Sequence, residues 1–314
     1  MPQKALTDAE CMEAINAVAK MGGNILAASK TLKHDESTIR HRLDVARRRG
    51  IKPEVDPVTF TEFPNWLKVE IRNGTAIVGS DAHYWPRFVS TAHRAMVHFC
   101  EKFQPKVVAM NGDAMDFPGI SRHASIGWEK RPTVEGEIEA AKQRMGELER
   151  AAPNAKRFWP LGNHDARFES RLAQVAPEYA NVHGVHLKDH FPYWHPCWSV
   201  LVNSDVVIKH RYKGGIHATH NNTLWAGKTV VTGHLHSLKV TPFSDYNGIR
   251  WGVDTGTLAD PYGPQFENYT EQNPANWRSG FVVLTFKDGT LLDPEIVRVV
   301  GERKVSFRGE VVRV

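Results

Sequence analysis

The sequence predicts an α/β protein that carries a small, separate helical domain at its N-terminus. From residue 69 onward, short runs of β-branched residues alternate with longer helical stretches, which is the pattern of helices layered against a sheet. Residues 1–52 instead have helical periodicity and a basic charge. The chain of 314 residues is long enough to bury one large core and still form this second domain.

Composition excludes several classes of protein. Hydrophobic residues make up 41% and charged residues 24%, which argues against disorder, collagen-like repeats and a coiled-coil rod. The three cysteines, Cys11, Cys100 and Cys197, form no Cys-x-x-Cys pair, so neither a disulfide framework nor a thiolate zinc site is indicated. No apolar run approaches the roughly 18 residues of a membrane span, and the N-terminus lacks the apolar region of a signal peptide. We therefore expect a cytoplasmic protein.

Positive charge is concentrated at the N-terminus. The net charge is +5, and residues 1–52 hold ten Lys and Arg against six Asp and Glu, which leaves +4 in that segment alone. The periodicity predicts three helices: one over residues 7–20 capped by Thr7 or Asp8, a second capped by Asn24, and a third from Ser37 or Thr38 to Gly50. Three short helices with a tight turn before the last are typical of a helix-turn-helix.

This segment resembles the helix-turn-helix of Fis-like and resolvase-like DNA-binding domains, through the Gly23-Asn24 step, the Ala27-Ala28 pair and Ser37-Thr38. The resemblance implies that DNA is a partner. One set of side chains would contact the bases in the major groove, and another set would contact the phosphates. The first set is Ser37, Thr38, Arg40, His41 and Arg42, and the second is Arg47, Arg48 and Arg49. A homodimer would suit paired half-sites. The alternative is a small helical module for dimerisation or docking, with its arginines merely solvated.

A linker is predicted between the two domains. Residues 53–68 contain Pro53, Pro57 and Pro64 without a sustained period, which indicates a semi-rigid connection. The helix-turn-helix therefore spans residues 1–52, and the large domain spans residues 69–314.

Five predicted strands of the large domain share one feature, since each apolar run ends in Asp, Asn or His. The strands are Thr75–Val78, Lys106–Met110, Arg157–Leu161, Val206–Lys209 and Thr229–Thr232. The polar residues that follow them are Asp81, His83, Asp113, Asp116, Asn163, His164, Asp165, His210, His234 and His236. Because ligand sites of open α/β sheets lie at the carboxyl ends of the strands, we expect these side chains to converge on one crevice.

The residue types indicate metal chemistry. Imidazole, carboxylate and amide ligands without thiolates suit divalent metal ions, with Mn as the first choice and Fe or Zn as alternatives. One carboxylate can bridge two ions, and two ions roughly 3.5 to 4 Å apart can clamp a phosphate and activate water near neutral pH. Gly112, Gly162 and Gly233 let the backbone turn sharply beside such ions. The pattern predicts a two-metal hydrolase.

Five ordered motifs in residues 75–236 resemble the calcineurin-like metallophosphoesterase family. They are Asp-x-His, Gly-Asp-x-x-Asp, Gly-Asn-His-Asp, a lone His after a strand, and Gly-His-x-His. The resemblance implies a four-layer α/β/β/α sandwich of two mixed sheets, which the C-terminal run around the Asp288-Gly289 turn is able to extend. The phrases GNHDARFESRL and NWRSGF are similar to phosphoesterases of bacteriophage and prophage genomes.

The resemblance also implies a role for each motif residue. Asp81, His83 and His236 would hold the first metal, Asp113 would bridge, and Asn163, His210 and His234 would complete the second site. His164 would contact the substrate phosphate and protonate the leaving oxygen, with Asp116 or Asp165 orienting it. The implied reaction is in-line attack of hydroxide on phosphorus.

Some assignments have competitors. His210 is followed by Arg211 where the family usually has Gly, so His217 and His220 are rival ligands. Arg122 and Arg167 each follow a motif and either bind the substrate phosphate or pair with acids. Aromatic residues, including Trp225, Tyr246 and Tyr262, either stack bases beside the crevice or pack loops over the sheet edge.

Departures from the family pattern bear on the substrate. Asp116 is followed by Phe117-Pro118, and the third motif ends in Asp165, which disfavours a Ser/Thr protein phosphatase. The leading hypothesis is a two-metal phosphodiesterase, a nuclease that its N-terminal domain brings to DNA. A phosphomonoesterase or small-nucleotide phosphodiesterase that uses this domain for assembly is the second hypothesis. The third is a DNA-binding regulator whose metal site is structural.

Overall fold

A computed structural model describes residues 6–21, 23–52, 63–122, 127, 130–267 and 274–314. The chain divides into two compact units, the first comprising residues 1–62 with 169–189, and the second comprising residues 63–168 with 190–314. The sequence interpretation placed residues 169–189 in the large domain. Internal hydrogen bonds hold this segment together. The Glu169 carboxylate accepts from the His186 ring (2.8 Å) and from the Leu187 amide (2.9 Å).

Three helices form the N-terminal part of the first unit. They are α1 (Asp8–Lys20), α2 (Ile25–Leu32) and α3 (Glu36–Arg49). Thr7 caps α1 in a reciprocal pair of hydrogen bonds with Glu10, and Asn24 caps α2 by accepting from the Ala27 amide, as predicted. The three helices pack on one another around Ile39 and the small buried side chains of Cys11, Ala14, Ala28 and Ala46.

Helix α3 differs from the sequence prediction at its start and on one face. It begins at Glu36 because Asp35 is the cap, and the Asp35 carboxylate accepts from the Thr38 amide (2.7 Å) and the Ser37 hydroxyl (2.6 Å). Arg42 is only 7% exposed, and its Nη1 lies 2.9 Å from Glu13 Oε2. Arg42 therefore braces α3 against α1, and it does not present its guanidinium to a major groove.

The remaining helices and strands complete the element order. The helices are α4 (Thr91–Phe103), α5 (Val134–Ala151), α6 (Ala166–Val175) and α7 (Ala218–Ala226), with 3₁₀ turns at Pro118–Ile120, Pro177–Tyr179, Leu187–His190 and Pro264–Phe266. The first eight strands are β1 (Leu67–Val69), β2 (Gly74–Gly79), β3 (Val107–Met110), β4 (Lys156–Pro160), β5 (His195–Cys197), β6 (Val200–Val202), β7 (Val206–Ile208) and β8 (Thr229–Thr232). The others are β9 (Lys239–Asp245), β10 (Gly248–Asp254), β11 (Gly280–Lys287), β12 (Thr290–Leu291), β13 (Glu295–Gly301), β14 (Lys304–Phe307) and β15 (Glu310–Arg313).

All five strands that the sequence predicted are confirmed, as β2, β3, β4, β7 and β8. Of the predicted linker, residues 53–62 lie outside the described residues, and Leu67 and Lys68 already belong to β1. The C-terminal hairpin is also confirmed. Asp288 and Gly289 both have positive φ (51° and 86°), which is the backbone of a tight two-residue hairpin turn.

The strands of the second unit form two mixed sheets. One has the order β1-β6-β7-β8-β10-β9, and the other has the order β15-β14-β13-β11-β2-β3-β4-β5 with β12 beside β11. Within the second sheet β2, β3 and β4 run parallel, and within the first sheet β7 and β8 run parallel. The side chains of both sheets meet in one apolar core that includes Val78, Val107, Val200, Val231 and Val282.

Helices cover the outer faces of these two sheets. Helix α4, with α5 beside it, packs on the larger sheet, and α7 packs on β8, β9 and β10 of the smaller one. The layers therefore follow the predicted order of helix, sheet, sheet and helix. All three cysteines are buried, and burial raises the pKa of Cys100 and of Cys197 to about 12, so both thiols stay protonated near neutral pH. None of the described helices has the length and apolar character needed to cross a bilayer.

Candidate metal centre

The predicted site residues follow strands from both sheets. Asp81, Asp113 and Asn163 come after the parallel neighbours β2, β3 and β4, whereas His210 and His234 come after β7 and β8. The two groups of strands lie in different sheets, so the crevice is built by a sandwich and not by a single open sheet. The structure brings these side chains together in two clusters with metal-binding spacing.

The first cluster consists of Asp81, His83 and His236, whose donor atoms lie within 4.8 Å of one another. Asp81 is completely buried, and its Oδ1 lies 3.1 Å from His236 Nε2. His83 Nε2 is also buried, and no hydrogen-bond partner for it exists among the described residues. A buried imidazole nitrogen without a partner is costly unless it has a ligand, and a divalent ion supplies one.

The second cluster consists of Asp113, His210 and His234 and has the same spacing. His210 Nδ1 lies 2.8 Å from the Asn111 carbonyl oxygen, which can only accept, so Nδ1 carries the proton. His210 Nε2, which lies 3.1 Å from Asp113 Oδ2, is then the nitrogen that would bind a metal, in exchange for its proton. The Asn163 Oδ1 atom is buried and lacks a hydrogen-bond partner within the described chain, which fits the predicted amide ligand.

Three glycines leave room for the clusters. A Cβ atom at Gly112 would collide with the His210 ring, and one at Gly162 would collide with the Asp113 carboxylate. A Cβ at Gly233 would meet the Ser80 hydroxyl and the Asp81 carboxylate. The sequence interpretation gave these glycines a role in turning the chain, and Gly112 does have φ of 86°. Their larger role is steric, because any side chain at these positions would displace a metal ligand.

The backbone of the ligands is itself unusual. Asp81, His83, Asp113, His234 and His236 all have φ between 41° and 72°, the left-handed region that non-glycine residues seldom adopt. Such conformations persist only where surrounding contacts enforce them, and they are concentrated at functional sites. Here the Asp81 amide donates to the Gly112 carbonyl (2.8 Å) and the His83 amide donates to the Asp113 carbonyl (3.1 Å). These bonds fix the two ligand loops to each other.

Neighbouring charges decide the ionisation of the buried groups. Burial alone would raise the pKa of Asp113, but the attraction of His210 and His164 holds the pKa of that carboxyl well below its usual range. Burial would lower the pKa of His210, but Asp113 outweighs it and raises the pKa to about 10. Burial prevails at His83 and lowers the pKa of its imidazole. Ionised carboxylates beside a neutral imidazole are ligands that a divalent ion accepts.

His164 stands at the edge of the two clusters, beside Asp116 and Arg167. Its Nδ1 lies 2.6 Å from Asp116 Oδ1 and 3.0 Å from the Asp116 carbonyl oxygen. Arg167 Nη1 donates to the same carbonyl (2.7 Å), and Arg167 Nη2 lies 3.4 Å from His164 Nε2. The structure therefore assigns the orienting role to Asp116 and adds Arg167 to the same group.

Asp165 has a different place from the one predicted. Its carboxylate accepts hydrogen bonds from the backbone amides of Asp113 (2.9 Å), Ala114 (3.0 Å) and Gly162 (2.9 Å), and from Trp159 Nε1 (3.0 Å). Asp165 thus ties the loop after β3 to the loop after β4. It is not positioned to orient the ring of His164, because its lone pairs are used by these four donors.

The other predicted residues are scattered. Arg122 is exposed and ends the segment described up to residue 122. His217 precedes α7, and the ring of His220 contacts Phe243 at a centroid distance of 5.4 Å. Neither of these rival histidines belongs to a metal-spaced cluster of the described residues. The third such group, His83, Asp116 and His164, shares its first member with the first cluster.

Sequence reasoning missed an aromatic wall beside the first cluster. The ring of Phe266 lies 5.1 Å from that of His83, and the ring of Trp277 lies 4.7 Å from that of His236. Phe266 and Trp277 also contact each other, at 5.0 Å. Phe266 ends a 3₁₀ turn and Trp277 lies in an irregular segment. The phrase NWRSGF contains Trp277, but it did not indicate that this ring lies beside the first cluster.

Comparison with known proteins gives two kinds of likeness. No family model matches the chain. The Gene 54 proteins of Mycobacterium phages D29 and L5 are each 28% identical to it over 236 residues, which is 67% of this chain and 88% of each relative. Two solved structures are similar to it only weakly. Vps29 from Entamoeba histolytica, complexed with Zn²⁺, is 12% identical, covering 76% of this chain and 96% of that chain (TM-score 0.38). Yfce, a phosphoesterase from E. coli, is 14% identical, covering 70% and 97% (TM-score 0.32).

The steric role of Gly162 is testable without any assay of turnover. Gly162→Ala adds only a methyl group, but that group collides with the Asp113 carboxylate, so we expect divalent-metal affinity to fall about 10- to 100-fold. Metal content after equilibrium dialysis measures this. Gly119→Ala is the matched control, because a Cβ at Gly119 meets nothing within 4 Å. Equal metal content in both variants would contradict the assignment.

Proposed function

We propose that the chain is a metal-dependent phosphoesterase, that it cleaves phosphodiester bonds, and that its substrate is a nucleic acid. The observation that carries the first step is the pair of clusters, buried except at His234, each with one carboxylate and two imidazoles, at the ends of strands from two sheets. The further steps, toward diesters and toward nucleic acid, are supported by the basic N-terminal unit and by the departure of the motifs from those of protein phosphatases.

The donor set suits two divalent ions. Asp81, His83 and His236 would hold one ion, and His210, His234 and Asn163 would hold the other, with Asp113 between them. Mn is the first candidate, and Fe and Zn accept the same ligands. When bound, such ions withdraw charge from a phosphoryl group and activate water as the nucleophile.

The chain supplies the proton for the leaving group. Burial opposes a charge on His164, but the attraction of Asp113 and the hydrogen bond from Nδ1 to Asp116 outweigh it and raise the pKa of His164. With Nδ1 committed to Asp116, the proton on Nε2 is the one that can reach a substrate oxygen. Arg167, beside Nε2, adds a second positive charge where the phosphate would lie.

Asp113→Asn tests the proposed reaction. The variant removes one negative ligand from the buried site, so we expect hydrolysis of an aryl phosphodiester by the manganese-loaded protein to fall at least about 100-fold. The measurement is the release of nitrophenol from the diester and from its matching monoester after the protein has been stripped of metal and refilled. Asp293→Asn, an exposed carboxylate, is the control and keeps full turnover.

The outcomes separate the three hypotheses. Metal-dependent diester turnover that disappears in Asp113→Asn supports the phosphodiesterase. Turnover of the monoester alone would replace it with a phosphomonoesterase. Metal uptake with no turnover of either ester, with manganese, iron or zinc, would leave a DNA-binding regulator with a structural metal site.

His164→Ala tests the proton donor. An alkyl leaving group needs protonation much more than nitrophenolate does, so the loss of turnover is larger for a dinucleotide than for the aryl diester. We expect a loss of about 10²- to 10⁴-fold for the dinucleotide. The exposed His183→Ala is the control. An equal loss on both substrates would mean that His164 binds phosphate without donating a proton.

DNA binding by the N-terminal unit is the second part of the proposal. Ser37, Arg40, His41, Arg47, Arg48 and Arg49 are exposed on α3, and Thr38 is partly exposed. Several of the cations are engaged locally, since Arg40 pairs with Glu36 (3.2 Å), Arg48 with Asp44 (2.7 Å) and Arg49 with Asp8 (2.7 Å). Exposed pairs of this kind are weak, and they exchange readily for phosphates.

The salt dependence of duplex DNA affinity distinguishes this role from assembly. Arg47→Ala should weaken binding uniformly across sequences and reduce the slope of log affinity against log salt by about 0.9, the value for one phosphate contact. Lys30→Ala, an exposed cation on α2, is the control. If both variants bind alike, the N-terminal unit serves assembly instead.

A further inference from the structure

An exposed aromatic and basic surface begins at the residue that follows His210 of the second metal cluster. It is formed by the loop after His210 and by α7, and we call Arg211, Tyr212, Lys213 and Trp225 the 211–225 surface. The side chain of Trp225 is 69% exposed and that of Tyr212 is 43% exposed. Both rings lie within 5.5 Å of the Lys213 ammonium, so they form one patch, and contiguous exposed patches mark binding surfaces.

The loop that carries this surface is anchored. The Lys213 amide donates to Asn222 Oδ1 (2.8 Å), and Asn222 is itself buried on the inner side of α7. Lys239 Nζ, on β9, donates to the Ile216 carbonyl (2.9 Å). Because the loop is anchored, the exposed rings are held in fixed positions. This lowers the entropic cost of binding a ligand to them.

The charge of this surface is of one sign. Residues 206–244 contain no Asp or Glu, although they contain Lys209, Arg211, Lys213, Lys228 and Lys239. The Lys213 ammonium lies 4.5 Å from the centre of the Trp225 ring and 5.5 Å from that of Tyr212, and Lys209 lies 5.1 Å from the Tyr212 ring. Cations and aromatic faces thus alternate along it. Such alternation matches an anionic backbone that carries flat apolar groups.

We infer that the 211–225 surface binds single-stranded nucleic acid and leads it into the metal centre. Bases stack on Trp225 and Tyr212, and Arg211 and Lys213 pair with the phosphates between them. Because Arg211 directly follows the ligand His210, a phosphate held there is close to the scissile position. A duplex hides the faces of its bases, so these rings select unpaired nucleotides. This inference rests on the proposed phosphodiesterase function.

Trp225→Ala tests the stacking. The probe is a labelled hexathymidylate, and affinity is read from fluorescence anisotropy. This oligonucleotide is short and forms no duplex, so a helix-turn-helix does not bind it. Loss of one stacked base weakens binding about 5- to 150-fold. Trp225→Phe restores most of it, and Tyr246→Ala, a fully exposed aromatic at the β9–β10 turn, leaves it unchanged. An abasic hexamer should bind the wild type and Trp225→Ala equally.

Turnover provides the second readout. The ratio of kcat/KM on hexathymidylate to that on the aryl phosphodiester falls in Trp225→Ala by the same factor as the affinity. Equal hexamer affinities in Trp225→Ala and Tyr246→Ala would overturn the inference. So would loss of binding to anionic lipid vesicles in Trp225→Ala with hexamer binding intact, because the surface would then face a membrane. Failure of the phosphodiesterase proposal is recognised separately, by absent aryl diester turnover in the wild type.

Discussion

The arrangement of the whole site depends on two carboxylates that are buried away from water, Asp81 and Asp113. An uncompensated buried charge costs several kcal/mol even after the protein relaxes around it. Asp81 is compensated by the His234 amide (2.8 Å) and by the His236 ring, and Asp113 by the His164 amide (2.8 Å) and the His210 ring. These partners come from three separate loops, after β4, β7 and β8. The convergence of strands from both sheets is thus what makes two buried anions tolerable, and it also produces the two metal-spaced clusters.

Holding the carboxylates in place requires a backbone that most residues avoid, and the surroundings enforce it. The loops after β2 and β3 are bonded to each other through main-chain hydrogen bonds, and Asp165 ties the loops after β3 and β4 together. The strain of the left-handed ligands is offset by the apolar core between the two sheets. The centre is therefore preorganised, since its ligands are positioned by contacts that do not involve a metal.

The local part of this design can be predicted from sequence. A polar residue at the end of an apolar run is visible within five or six positions, which is why all five strands and the convergence of their polar ends could be predicted. Long-range roles are not visible in this way. Asp165 has the same local pattern as a catalytic carboxylate, and only the fold shows that its oxygens face backbone amides. Phe266 and Trp277 reach the first cluster from segments without a helix or strand period, and the phrase NWRSGF around Trp277 does not indicate this contact.

Arg42 illustrates an error that periodicity could have prevented. Ile39, Arg42, Leu43 and Ala46 have the spacing of one helix face, so the arginine shares the face that the apolar residues turn toward the core. The positive charge of Arg42 suggested a contact with DNA, whereas its position on the helix places it on the buried face. The long aliphatic stem of arginine packs with its neighbours, and the guanidinium reaches Glu13 at the edge of the core. Position on the helix outweighs residue type in this case.

The two metal clusters have different surroundings: apolar rings cover one side of the centre, and the other side is open. The rings of Phe266 and Trp277 close off the first cluster with an apolar wall, so an extended anionic chain cannot leave on that side without losing its water. The second cluster is more open at His234, and the residue after His210 begins a run of cations and aromatic rings. Under the proposed function, a polymer whose phosphate lies over both clusters would extend along the second. A small phosphate ester would gain nothing from this asymmetry, so the asymmetry supports the proposal of a nucleic-acid substrate.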